Sequence, residues 1–117
     1  MVDSKEEWAE ISRANFGVPE VTAEWVSANE GFTLVDVREA AELEGPLGQL
    51  EGNVHLPLGE LEDGVDDWAR DRAYVIYCRS GGRSGRAAMI MEEMGFERVA
   101  SMAGGMIRWN ALEFPRL

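Results

Sequence analysis

A single cysteine occurs in the 117-residue chain, Cys78, and it opens the run Cys78-Arg79-Ser80-Gly81-Gly82-Arg83-Ser84. A cysteine reacts as its thiolate, and an ordinary thiol titrates near ~8.5, so what surrounds the sulfur decides whether it is chemistry or packing. On its own a free cysteine is more often a small buried hydrophobe than a nucleophile. Here Gly81 and Gly82 admit backbone conformations closed to other residues, so the loop can curl and aim several N–H groups at the sulfur. Arg79 and Arg83 bring full positive charges, and a helix predicted from Ser84 onward brings the positive end of its dipole. All of these favour an anionic sulfur, and the same cradle suits a persulfide.

Such a loop needs a strand that delivers it and a helix that receives it. Residues 73–77 (Ala-Tyr-Val-Ile-Tyr) form a continuous run of β-formers, the pattern of a strand buried on both faces, and the run stops at Cys78. In open parallel α/β sheets, ligands gather at the carboxyl ends of strands, where Cys78 stands. Residues 84–94 repeat Ala87, Ile90, Met91 and Met94 at helical spacing, and Gly95 is placed to end that helix.

Upstream, residues 32–37 read as a buried strand whose end carries Asp36 and Arg38, which either brace the Cys78 loop or form a structural ion pair. Thr22 caps a helix through Trp25 and Val26 that stops at Gly31, and residues 39–44 form a short helical turn. Residues 45–48 are a loop, 53–56 a brief strand before Pro57, and helical turns fall around 58–61 and 65–69. A strand over 98–102, a turn at Gly104-Gly105 and a helix over 106–110 complete the chain. At the other end, Ser4 and Glu7 have capping-box spacing, and Trp8, Ile11 and Ala14 share a helical face, predicting a short helix that ends near Gly17-Val18-Pro19. Strands alternating with helices predict one α/β domain with a mainly parallel sheet and right-handed crossovers.

Composition narrows the function. Eleven basic side chains against 22 acidic give a net charge of −11, which argues against binding nucleic acid or an anionic membrane surface. No apolar stretch reaches the roughly 18 residues that span a bilayer. One cysteine makes no internal disulfide, and the first residues lack a basic segment followed by an apolar run, so a reducing, cytoplasmic setting is expected. No His, Cys and Asp cluster has metal-ligand spacing, so no metal is expected. Met89, Met91 and Met94 read as packing, Met106 and Trp109 as core or pocket wall, and His55 as structural or surface rather than catalytic.

The run from Cys78 to Ser84 resembles the active-site loop of single-domain rhodanese-like sulfurtransferases. Leu34-Val35-Asp36-Val37-Arg38-Glu39 resembles that family's first signature, and Ser101-Met102-Ala103-Gly104-Gly105-Met106 with Trp109 its glycine-pair and tryptophan signature. The match covers about residues 21–109. One segment departs: where the family reads Gly-His-Ile-Pro-Gly-Ala, this chain has Gly48-Gln49-Leu50-Glu51-Gly52-Asn53. The resemblance implies a three-layer fold over residues 21–117, with a central, mainly parallel five-stranded sheet and helices on both faces. Residues 1–20 would be a helical extension.

It further implies covalent sulfur transfer, needing neither metal nor organic cofactor, in which Cys78 takes a sulfane sulfur from thiosulfate or another persulfide donor and passes it to a thiol, cyanide or protein acceptor. Arg79, Ser80, Gly81, Gly82, Arg83 and Ser84 would bind the sulfur and the donor, with Asp36 and Arg38 in support. The alternatives are a non-catalytic interaction or regulatory module of the same fold, and a cysteine phosphatase or arsenate reductase. The module typically lacks the cysteine. The phosphatase loop needs one residue more between cysteine and arginine than the four present here, and arsenate reduction needs a second cysteine to resolve its intermediate.

Overall fold

The computed structural model describes residues 8–117. Its strands are β1 (Ser12–Arg13), β2 (Pro19–Val21), β3 (Thr33–Asp36), β4 (Val54–His55), β5 (Ala73–Tyr77) and β6 (Arg98–Met102). Its helices are α1 (Ala23–Ala28), α2 (Ala40–Leu43), α3 (Leu61–Gly64), α4 (Gly82–Glu93) and α5 (Gly105–Ala111), with 3-10 turns at Asn15–Gly17 and Leu58–Glu60. The strands form one six-stranded sheet in the order β1-β2-β6-β5-β3-β4. Five run parallel, and β1 is antiparallel to β2 at the edge. The expected five-stranded parallel sheet is therefore present, with one short edge strand added.

The central strand explains its own composition. Tyr74 and Ile76 of β5 pack on one face with Ala87, Ala88 and Met91 of α4 and Leu61 of α3. Val75 and Tyr77 pack on the other with Val26 of α1 and Met106 and Trp109 of α5. Side chains alternate across a strand, so a strand covered on both faces is apolar throughout. β6 obeys the same parity: Val99 belongs to the α4 side, and Ala100 and Met102 to the α5 side. Ser101 therefore points to the α4 side, where it is fully buried.

The sequence-predicted helix at the N-terminal end is not what forms over the described residues. Residues 8–10 are a turn, and β1 and β2 then make a small hairpin, with Ser12 opposite Glu20 and Arg13 opposite Pro19. Ser4 and Glu7 lie outside the described residues. The periodic Trp8 and Ile11 do pack on the core, Trp8 edge-on to Trp25 at 5.8 Å, but from the turn and the irregular residue before β1 rather than from a helix. The exposed backbone edge of β2 wins over local helical spacing, because pairing with β1 satisfies its free hydrogen-bonding groups. β2 also crosses the expected boundary at residue 20, so the end of that extension is part of the sheet.

Elsewhere local signals hold. Thr22 Oγ1 accepts from Trp25 N at 3.0 Å to cap α1, and Glu39 and Glu42 form a reciprocal capping box on α2. The Gly104-Gly105 pair has a role beyond turning the chain. Both have positive φ, +80° and +54°. They bring the first turn of α5 onto the Cys78 loop, where Met106 N–H donates to Cys78 O at 2.9 Å and Ile107 N–H to Arg79 O at 3.0 Å. A Cβ on Gly105 would strike Cys78 O and lie 2.6 Å from Arg79 O.

Gly105→Ala is accordingly expected to lower the free energy of unfolding by about 2 kcal/mol or more, since a left-handed alanine alone costs ~1–2 kcal/mol and the backbone overlap adds to it. The midpoint of urea unfolding checks this, and an unchanged midpoint would refute the tight seat of α5 on the loop.

Candidate active site

The parallel register brings the carboxyl ends of three strands together: Asp36 is opposite Tyr77, and Ile76 opposite Ser101. Cys78 follows directly and is 1% exposed. Gly81, with φ +109°, turns the chain into α4, and a Cβ there would press on Gly104 N at 3.3 Å. The turn rotates the peptide groups so that Gly81 N–H reaches Cys78 Sγ at 3.1 Å and Ser84 N–H reaches it at 3.4 Å.

Gly81, the N-cap of α4, has no side chain to accept from the first turn, and the sulfur takes that place for the Ser84 N–H. Ser84 Oγ lies 3.4 Å from Sγ, 3.3 Å from Gly81 O and 2.7 Å from Ser101 Oγ. Burial by itself raises the Cys78 pKa. The side chain of Ser84 and the N–H groups of Ser84, Gly81 and Ser80 outweigh it, so the thiol titrates below its ordinary value.

The two arginines differ in setting. Arg79 is exposed and makes no ion pair among the described residues. Arg83 is clamped by Glu42 of α2 through Nη1 to Oε1 at 2.6 Å and Nη2 to Oε2 at 2.9 Å. The same guanidinium, by its hydrogen bonds first, holds the Glu42 carboxyl at about 2. Glu42 was not among the residues singled out from sequence, where it belonged only to an acidic helical turn.

Asp36 and Arg38 form a buried bidentate pair, Arg38 Nη2 to Asp36 Oδ2 at 2.7 Å and Nε to Oδ1 at 3.0 Å. No hydrogen bond joins them to the Cys78 loop among the described residues. Arg38 instead reaches Gly48 O at 2.8 Å, and the Tyr77 hydroxyl accepts from Leu50 N at 3.1 Å. The pair thus anchors the segment that departs from the family pattern. His55 Nε2 is 2.7 Å from Arg38 O, part of the same brace. Met106 and Trp109 are core, as are Met91 and, at its margin, Met94.

Ser101, which the sequence places only in the glycine-pair signature, is the other residue the structure adds to the site. A serine at an inward position of an apolar strand was the available signal, since a buried hydroxyl demands a partner. Among the described residues, no group of three or more His, Cys, Asp or Glu side chains is placed to hold a metal ion, and no helix is long and apolar enough to cross a membrane.

Comparison with known proteins agrees with this geometry. Residues 20–112 match the rhodanese-like domain family. The chain is 35% identical over 86 residues to a protein of Allochromatium vinosum named "Sulfurtransferase", covering 74% of this chain and 78% of that one. It is also 35% identical over 97 residues to the "Putative sulfur carrier protein YrkF" of Bacillus subtilis, matching 80% of this chain but spanning only 51% of that relative's length. The crystal structure of a rhodanese-related protein from Thermoplasma volcanium superposes with a TM-score of 0.75 at 27% identity, over 82% of this chain and 94% of that one. With a cysteine cradled at the end of the central strand and a matching family that includes a sulfurtransferase, this chain belongs to the rhodanese-like domain family.

Proposed function

We propose that this protein is a sulfurtransferase that carries sulfane sulfur as a persulfide on Cys78, with thiosulfate or another persulfide as donor. The carrying observation is the convergence of the Gly81 and Ser84 N–H groups on Sγ itself. In the first step the Cys78 thiolate attacks the outer sulfur of thiosulfate. The new S–S bond forms as the old one breaks, and the electron pair leaves with sulfite. In the second, a nucleophilic acceptor (cyanide, a thiol or a protein cysteine) attacks the outer sulfur of the persulfide, and the electron pair returns to Sγ as thiolate. The N–H groups that stabilise the thiolate stabilise the charge that returns to it.

The tight loop favours this reading over phosphate chemistry, because only four residues separate Cys78 from Arg83, too few to wrap a tetrahedral phosphate. Retention of Cys78 favours it over a non-catalytic module. Arg79, exposed beside the loop, is the side chain best placed to attract an anionic donor, while Glu42 offsets the charge of Arg83.

Incubation with thiosulfate should raise the intact mass by one sulfur atom, cyanide should remove it, and Cys78→Ser should abolish it. No sulfur uptake from thiosulfate or from a persulfide donor would sink the enzyme reading.

Because the Cys78 pKa is lowered, thiolate is present above that value and lost as pH falls through it. Sulfur uptake should therefore climb with pH with its midpoint below that of an ordinary thiol. A midpoint at or above the ordinary thiol value would contradict the hydrogen-bonded cradle.

Arg79→Ala and Arg83→Ala should each raise KM for thiosulfate several-fold while leaving the unfolding midpoint near that of the parent. Glu42→Gln keeps an acceptor for Arg83 but removes the offsetting charge, so it should lower that KM. Steady-state kinetics with thiosulfate as the varied substrate decides, and three unchanged KM values would discard the electrostatic role of this rim.

A further inference from the structure

Beneath the sulfur lies a two-hydroxyl chain that the reaction scheme above does not use. Ser84 and Ser101 are both fully buried, their oxygens are 2.7 Å apart, and they come from the first turn of α4 and from β6. The proton count is informative. A hydroxyl donates once and accepts up to twice. Ser101 Oγ has Ser84 Oγ as its hydrogen-bond partner, so its proton is satisfied by donation to Ser84. Ser84 Oγ faces Sγ, Gly81 O and Ser101.

With the neutral thiol, S–H donates to Ser84 and Ser84 donates to Gly81 O, so every group is paired. With an anionic sulfur the S–H donor is gone, and one rotation of the Ser84 hydroxyl moves its proton from Gly81 O to Sγ. If Ser84 donated to Ser101 instead, the sulfur would lose that donor and the buried Ser101 proton would be left without its partner, a costly arrangement.

We propose that Ser101 is a positioning residue for the sulfur chemistry: by donating to Ser84, it reserves the single Ser84 proton as a rotating donor to Cys78 Sγ whenever that sulfur is charged. The assignment rests on the sulfurtransferase reading for its purpose, but not for its test. The charged groups around the sulfur do not reproduce this effect. On α4, Arg83 is paired with Glu42, on the loop Arg79 is exposed, and on β3 Asp36 is paired with Arg38. From β6 it is Ser101, a neutral group, that enters the chain, and α5 begins with Gly105 and Met106.

The test is a pH titration of thiolate ultraviolet absorbance in the intact protein, with Cys78→Ser as blank. There is one cysteine, so the signal is unambiguous. A hydrogen bond to a charged group is worth about 1.5 kcal/mol or more, so Ser84→Ala should raise the Cys78 pKa by roughly one unit. Ser101→Ala, acting through Ser84, should raise it by roughly half as much. In the Ser84→Ala background the Ser101→Ala change should have no further effect, and Ser101→Thr, which keeps the hydroxyl, should hold the parent value. An unshifted pKa in Ser101→Ala, a shift that persists without the Ser84 hydroxyl, or a Ser101→Thr shift equal to that of alanine would each overturn the assignment. The titration needs no turnover, so failure to take up sulfur would sink the transferase reading while leaving this result standing.

Discussion

The structure turns on the polarity of a few peptide groups after β5. Their N–H groups must face the sulfur, which requires their carbonyls to face away, and buried carbonyls need donors of their own. The first turn of α5 donates to Arg79 O, which shares its peptide with the Ser80 N–H that favours the thiolate, and to the neighbouring Cys78 O. Two helix starts thus share one loop, both as donors: α4 donates to the sulfur, and α5 donates to the carbonyls. Gly81 and Gly105 stand where the two approach too closely for a side chain. The parallel pairing of β5 with β6 follows from the same need, since it sets α5 at the end of the sheet where the loop emerges.

An acidic protein stabilising an anion is less paradoxical once the charges are located. Of the full charges nearest the site, Arg83 is compensated by Glu42 and Arg38 by Asp36, and Arg79 is exposed to solvent. What acts on Cys78 is a set of fixed dipoles at short range in a buried setting, where hydrogen bonds strengthen and exposed distant charges are screened. Desolvation works against the thiolate, and the direction of the Cys78 shift records that the hydrogen bonds prevail. On the proposed reading, a cradle of dipoles leaves the rim, Arg79 and the Glu42-Arg83 pair, free to adjust donor preference without disturbing the sulfur.

The buried Asp36-Arg38 pair belongs to a different layer of the design. A charge pair out of water is tolerable when its remaining hydrogen-bonding groups are satisfied, and Arg38 meets this by also donating to Gly48 O. Segment 48–53 is tied down from below by Arg38 and Tyr77 and from the side by Leu117 N to Gln49 O at 2.8 Å. Its unusual sequence is therefore compatible with the family fold, because these anchors use backbone carbonyls and N–H groups rather than the side chains that differ.

Much was legible in the sequence. The apolar run 73–77, the helical spacing of 84–94 and the cap at Thr22 are local patterns, and local patterns report local structure. The Cys78 loop was legible too, because strand, glycines and helix are contiguous. Where a local pattern met a non-local demand it misled: Trp8, Ile11 and Ala14 keep helical spacing, yet the chain pairs with the edge of β2. The residues that complete the site were silent for the same reason. Glu42 meets Arg83 across 41 positions, and Ser84 meets Ser101 across 17. Sequence alone pointed to Cys78 as the candidate sulfur and to the contiguous backbone around it. Only the tertiary structure decided which arginine is free, which carboxylate restrains the other, and which hydroxyl stands behind the sulfur, since these depend on parallel strands bringing distant segments to one end of a sheet.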